Sequence, residues 1–361
     1  PESAPWIPAR DWGSVRWRTP WISYGPDLGL FVGLGLDYRN YAFRKHPYAA
    51  RHLIRGGYAF GEKSGRLEYR GEFRRENRRS YWSMLAFGSG LENIRYYGFG
   101  NESADRDDSD FTRIKITEYI LHPGFNAPIG GRPILRVGPV LKYVQTDDAD
   151  STLLNEEQPY GVGGFGEVGA RAVLEFDTRD NALFPRRGLL LAGRGTVYPE
   201  LWDVEKTFGE VNGDLSVYAS AGTRLTLAVR GGGKRVLGDY PFHEAAIIGG
   251  GRLGKGSLDE PDYTLRGFRA QRFAGRSSAW GNAELRLRLV KFTLVLPARW
   301  GVFAFSDAGR VWHDDEESDL WHTSAGGGLW FSFVDESGTG SAGIAHSKEG
   351  DLFYFKGGFT Y

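Results

Sequence analysis

The residues that could perform chemistry are present in this chain but wrongly placed for it. Gly161-Val-Gly-Gly-Phe-Gly166 matches G-x-G-x-x-G, yet an alternating, strand-like run follows it, so no helix N-terminus waits for a pyrophosphate. Gly249–Gly256 nearly spells a phosphate-binding loop, with Gly256 where a Ser or Thr is required. The seven histidines (46, 52, 122, 243, 313, 322 and 346) form no H-E-x-x-H and no close pair, which leaves interface or lumen positions as their reading. There is no G-x-S-x-G elbow. Asp105–Asp110 could approach a divalent ion but lacks the glycine and distal glutamate of an EF-hand, and it reads as a solvated loop. Asn101-Glu-Ser103 is a formal glycosylation sequon and carries no expected role. The chain has no cysteine, which excludes disulfides, thiolate zinc sites, iron–sulfur ligation and a thiol nucleophile. Lys+Arg and Asp+Glu are both 45, so the simplest reason to expect a nucleic-acid partner is missing. The expectation is a protein without catalytic residues, metal site or cofactor.

What the sequence offers instead is periodicity. Glycine is 52 of 361 residues and aromatics are 14%, and so much glycine disfavours long helices, since each interior Gly costs roughly 1 kcal/mol against Ala. No apolar run approaches the ~18–20 residues of a membrane-spanning helix. The repeat has a period of two. Arg66, Glu68, Arg70, Glu72 and Arg74 alternate with Leu67, Tyr69, Gly71 and Phe73. Ala283, Leu285, Leu287 and Leu289 alternate with Glu284, Arg286 and Arg288; Phe353, Phe355, Phe359 and Tyr361 form one terminal parity. Each strand therefore has one apolar and one polar face.

The strands are long, many reaching the ~9–11 residues that cross a bilayer at a tilt. They are predicted near 28–38, 50–60, 64–74, 80–88, 92–100, 111–122, 133–146, 165–177, 188–198, 205–218, 222–234, 278–290, 299–311, 322–333, 339–347 and 351–361. Sixteen is an even number, as bacterial outer-membrane barrels have. Gly61–Gly65, Gly88–Gly90, Pro123–Gly131, Asp177–Gly188, Ser220–Gly222 and Asp335–Gly338 read as turns of one end. The longer, more acidic Ser103–Asp110, Asp147–Gly161, Val236–Ser277 and His313–Leu320 fall at the other. A soluble sandwich would bury the apolar face and expose the charges. A transmembrane barrel does the reverse, turning the apolar face to lipid and letting Arg/Glu ladders pair in a hydrated lumen. A propeller would repeat every ~40–45 residues, and no such repeat occurs. The expected fold is all-β: a transmembrane, sixteen-stranded, antiparallel up-and-down barrel over residues 25–361, with 1–24 as a linker or N-terminal extension. Because the only methionine is Met84, Pro1 is not expected to be a translational start.

Four segments carry a resemblance. Thr264-Leu-Arg-Gly-Phe268 resembles the (V/L)RG(F/Y) motif of the BamA/TamA-type outer-membrane assembly superfamily, also called the bacterial surface antigen family. Asp177-Thr-Arg-Asp-Asn-Ala-Leu-Phe-Pro-Arg-Arg-Gly188 resembles its D-x-R-D-…-P-x-x-G turn. Tyr97-Gly-Phe-Gly-Asn-Glu-Ser103 resembles a strand-end signature, and Phe305-Ser-Asp-Ala-Gly-Arg-Val-Trp312 its F-x-D-x-G-x-V-W strand. The resemblance covers about residues 24–361. It implies that the long loop between the eleventh and twelfth strands folds back into the lumen. Arg266 would there be pinned by Glu284 and Asp307, Gly267 would permit the tight turn, and Phe268 would pack over the pair. Asp307 shares parity with Phe303 and Phe305, so its assignment requires a bulge near Ser306–Gly309.

The terminal Phe359-Thr-Tyr361 resembles the assembly signal of outer-membrane barrels; an aromatic girdle residue is the plainer reading. Gly357 and Gly358, facing the glycine-rich first strand with Gly33 and Gly35, suggest a weak seam. The resemblance implies insertion or translocation of polypeptides, with outer-membrane lipids and client chains as partners. Pro1–Tyr24 is too short for one periplasmic POTRA domain. The alternative is a barrel that anchors or secretes an upstream passenger, such as a metallophosphoesterase or patatin-like hydrolase. A passive diffusion pore fits a pinned loop less well.

Overall fold

The computed structural model describes residues 10–361 except 26–28, 62, 92–93, 105–110, 148–151, 183, 251–263, 294–296, 315, 334–337, 358 and 360–361. Sixteen antiparallel strands form one closed barrel in chain order. They are β1 (Ser14–Gly25), β2 (Gly29–Asn40), β3 (Ala50–Ala59), β4 (Ser64–Arg74), β5 (Tyr81–Ser89), β6 (Ile116–Pro128), β7 (Ile134–Thr146) and β8 (Gly164–Asp177). The second half comprises β9 (Gly188–Tyr198), β10 (Phe208–Ala221), β11 (Leu225–Leu237), β12 (Ser277–Thr293), β13 (Pro297–Trp312), β14 (His322–Phe333), β15 (Gly338–Ser347) and β16 (Gly350–Gly357).

The period-two pattern sets the two faces. Ile22, Leu34, Leu67, Val211, Leu227, Leu285, Ile344 and Phe353 project outward and are exposed, as a lipid-facing wall demands. Their neighbours Glu68, Glu210, Thr226, Arg286 and Tyr354 point inward and are buried. The connections 41–49, 75–80, 129–133, 178–187 and 222–224 lie at the end where the barrel's first strand begins and its last strand finishes. Short turns mark this end as periplasmic. The long connections 90–115, 147–163 and 238–276 lie at the other.

The strand count matches the expectation, but two positions differ. The expected linker 1–24 contains β1. Its Pro20 reads as a strand breaker, yet proline is tolerated in an edge strand, and β1 pairs fully only with β2, from Ser14↔Asn40 to Gly25↔Gly29. The strand expected at 92–100 is no barrel strand. Among its described residues only Ile94–Arg95 is extended, paired with Arg113–Ile114, and Gly98 (φ +79°) and Gly100 (φ +123°) take backbone conformations that end it. Tyr96 is buried there with Ile114, Ile116, Val144, Leu153, Leu154 and Phe242 under the extracellular loops, so alternation reported packing beneath loops rather than a lipid face. The errors offset, which leaves the long loop between the eleventh and twelfth strands. The turns expected at 61–65 and 88–90 also belong to the extracellular end, because the strands before them are third and fifth rather than second and fourth.

Candidate functional site: the pinned lumenal loop

The described parts of the loop 238–276, residues 238–250 and 264–276, enter the barrel and are held there at two places. The first is Arg266, which is 1% exposed. Its Nη1 donates to Glu284 Oε2 at 2.5 Å, Nη2 to Asp307 Oδ1 at 2.7 Å and Nε to Asp307 Oδ2 at 2.8 Å. The backbone N–H of Arg266 also donates to Asp307 Oδ2, at 3.0 Å. The guanidinium lies 3.5 Å from the centroid of the Phe305 ring. A planar fork can satisfy two carboxylates in this way and an ammonium cannot. Such a buried charge is tolerable only because both partners are fully engaged.

Asp307 reaches the lumen without the expected bulge. The β12–β13 register runs unbroken from Ser277↔Trp312 to Arg288↔Gly301, and its one shift falls between Arg288 and Val290. The correction concerns Phe303 and Phe305, which face inward too. They pack with Phe184, Trp330, Ala345, Tyr354 and Phe359 in an aromatic cluster inside the barrel. An inward phenylalanine is indistinguishable by parity from an outward one when the reader assumes a purely polar lumen.

The neighbouring motif residues close the contact. Gly267 has φ +84°, where side chains are strained, and an added Cβ would approach Ser324 Cβ to 3.2 Å. Ser347 Oγ donates to Gly267 O at 2.5 Å. Phe268 is buried with Ile248, Leu265, Phe273, Trp280 and Val311. Phe305 covers the guanidinium. Asn282 Nδ2 donates to Thr264 O at 3.0 Å, and Gly249 N to Thr264 Oγ1 at 2.9 Å.

A second anchor, for which the sequence shows no motif, is a 3-10 turn at Phe242–Glu244. Glu244 accepts from Lys142 on β7 and pairs with Lys234 on β11 at 3.6 Å. Lys142 Nζ also stands 3.3 Å from Glu118 and 3.6 Å from Glu167. Lys234 continues to Glu210 at 2.7 Å, and Glu210 lies 3.7 Å from both Arg171 and Arg194. His243 is buried beside this network with no hydrogen-bond partner at either ring nitrogen among the described residues. Burial, reinforced by the Lys142 charge, pushes the His243 ring down to about 3. Burial works to raise the Glu244 carboxyl, but Lys142 and Lys234 outweigh it and hold that group well below the usual range. Possible ligand atoms of Glu167, His243 and Glu244 lie within 4.8 Å of one another. The Lys142 ammonium sits among those carboxylates and supplies the positive charge they require. What alternation along a strand cannot show is which strand charges the loop engages.

The extracellular loops cap the site. Asn101 Nδ2 donates to Ser318 Oγ at 3.0 Å and Leu320 O at 2.9 Å, while its Oδ1 accepts from Val311 N at 3.0 Å. Arg272 Nε donates to Glu349 at 2.6 Å and Nη1 to Ser103 Oγ at 2.9 Å. The Tyr97–Ser103 segment therefore ties three loops together rather than ending a barrel strand.

The seam residues are distributed differently from expectation. β1 and β16 meet at one register pair among the described residues, Tyr24↔Phe355. The shortest of the other neighbouring pairs, β8–β9 and β15–β16, have eight. Gly357 closes β16 opposite Gly340; Gly358 and Tyr361 lie outside the described residues. Gly33 and Gly35 belong to β2, not to the seam strand, and pair with Trp21 and Thr19. There a Cβ would stand 2.5 Å from Gly56 O at Gly33, and 2.6 Å from Thr19 Oγ1 at Gly35, so their smallness serves close wall packing. Phe359 turns into the barrel, 5.2 Å from Phe184 and 6.0 Å from Trp330 between ring centroids. The Arg286 guanidinium lies 3.8 Å from its centroid. In the 177–188 turn, Asp180 Oδ1 accepts from the N–H groups of Arg186 at 2.9 Å and Arg187 at 3.2 Å, which presents Phe184 to the same cluster.

Comparison with known proteins agrees with this architecture. The Omp85 superfamily domain profile matches residues 59–343. BamA from Haemophilus ducreyi lacking POTRA domains 1–3 superposes with a TM-score of 0.64 at 14% identity, covering 95% of this chain and 69% of that one. CdiB from Escherichia coli gives a TM-score of 0.58 at 12% identity, covering 96% of this chain and 63% of that one. A search of curated proteins finds no match.

Proposed function

The chain belongs to the Omp85 superfamily, a family of bacterial outer-membrane β-barrels, and from that premise we propose that it inserts or passes polypeptides at the seam between β1 and β16. The observation that carries this reading is that, among the described residues, β1 and β16 share a single register pair, Tyr24↔Phe355. Among the described residues the two strand edges share no other register pair, and free N–H and C=O groups are a template for an incoming strand. The pinned loop supports the same reading, because a client reaches a lateral edge without displacing Arg266. No catalytic group takes part: the protein supplies backbone hydrogen bonds and a local opening to lipid.

The test exploits the absence of native cysteine. Paired antiparallel residues stand about 4.5–5.5 Å apart at Cα, within disulfide reach, so Tyr24→Cys with Phe355→Cys can lock the seam. Vesicles carrying the full-length double variant are offered a small unfolded outer-membrane barrel. Client folding, read as a heat-modifiable gel band, is expected to stop on oxidation and return with reductant. Undiminished folding with the seam fully crosslinked would refute lateral opening.

A further inference from the structure

Net neutrality conceals a division of charge between the two ends of the barrel. The extracellular connections hold the acidic runs 105–110, 147–150 and 314–319. Three adjacent periplasmic turns, 41–49, 75–80 and 129–133, hold the opposite sign. Arg44, Arg75, Arg78, Arg79 and Arg132 are exposed there and Lys45 half-buried, against one exposed acidic residue, Glu76.

These turns are one structure. Asn77 N donates to Arg44 O at 2.9 Å and Arg74 N to Ala49 O at 2.8 Å. Arg79 Nη2 donates to Gly131 O at 2.7 Å and joins the third turn. The outer wall beside them is aromatic. His52 lies between Tyr38 and Tyr69, with centroids 6.0 and 6.1 Å away, and Trp82 packs on Phe125 at 5.0 Å. Phe73 and Trp82 are register partners, and both are exposed to the lipid side. Arg16 stands on this wall over the Tyr38 ring, 5.4 Å from its centroid. Phe43 and Ile129, on the turns themselves, are exposed as well.

An aromatic belt marks the level of lipid headgroups, and guanidinium groups just beyond it stand where phosphates lie. We propose that these three turns form a docking surface for the phosphate headgroups of anionic phospholipids in the periplasmic leaflet. Arginine matches a phosphate with two parallel hydrogen bonds, and clustered basic residues beside a membrane surface read as anionic-lipid sites. The continuity of the basic patch with the apolar belt, through Phe43 and Ile129, selects a lipid over a soluble acidic protein.

The experiment places the folded barrel in phosphatidylcholine vesicles with trace spin-labelled phosphatidylglycerol or phosphatidylcholine. Phosphatidylglycerol is expected to be motionally restricted about threefold more strongly, an excess that shrinks as salt screens the charges. Reversal at Arg44→Glu, Arg75→Glu and Arg78→Glu should abolish the preference. Arg187→Glu with Arg224→Glu, on other turns of the same rim, should preserve it. If the triple reversal does not fold, the corresponding glutamine triple tests the same charges. Equal restriction of the two lipids by the unaltered barrel overturns the proposal, as does a preference that survives the folded triple variant.

Discussion

Arg266 and Arg286 hold the same carboxylate. Glu284 accepts from Arg266 Nη1 through Oε2 and from Arg286 Nε through Oε1, at 2.5 and 2.7 Å. Arg266 continues to Asp307, while Arg286 lies under Phe359 and reaches Pro185 O at 3.4 Å. One line of alternating charge thus joins the lumenal loop, the wall, the 178–187 turn and the C-terminal segment.

Replacing Arg266 by Ala should leave Glu284 half-paired and Asp307 buried without its cation. Breaking a buried ion pair on one side costs about 3–5 kcal/mol. The temperature at which the folded gel band converts to the unfolded one should therefore fall, with Arg266→Lys intermediate because it keeps charge but loses the fork. Unchanged conversion in Arg266→Ala would remove the pinning role assigned to this contact.

Acid should weaken the second anchor. The His243 ring titrates near 3 in the folded protein against an ordinary value of 6.5, so between those values the unfolded chain binds more protons. Its contribution is fully present above pH 6.5 and declines as pH falls, by at most about 1.4 kcal/mol per unit. Glu244, held low by Lys142 and Lys234, adds a loss of the same sign below about 4.5. Between pH 7 and pH 5 the urea midpoint of the unaltered protein should decline relative to that of His243→Phe. The same pH dependence in both proteins would contradict the assignment.

Leu285 and Glu284 are adjacent in sequence and opposite in environment, 45% and 1% exposed. Leu285→Arg should destabilise the barrel in a bilayer by up to about 2–4 kcal/mol, depending on depth. In a soluble protein an exposed Leu→Arg change is nearly neutral, usually within about 0.5 kcal/mol. Equilibrium unfolding from vesicles distinguishes the two.

Much of this molecule was legible in its residue order because a strand's two faces follow from a period of two. Leu285 and Glu284 declare their opposite environments locally, and so do Leu67 and Glu68. Arg266 was recognisable through the motif around it, and Gly267 by the left-handed backbone that only glycine adopts readily. Tertiary structure decided what parity leaves open. Phe303 and Phe305 are apolar but lumenal, because the aromatic cluster around Phe359 fills that side of the barrel. Pro20 sits within β1 because that strand lies at the seam, where among the described residues it makes one register pair with β16. Lys142, Glu167 and Glu244 come together from two strands and a loop, a meeting set by barrel closure and loop entry. The physical reason is range: alternation is fixed between neighbours in sequence, whereas the choice of partner across a lumen depends on where the whole cylinder brings the chain.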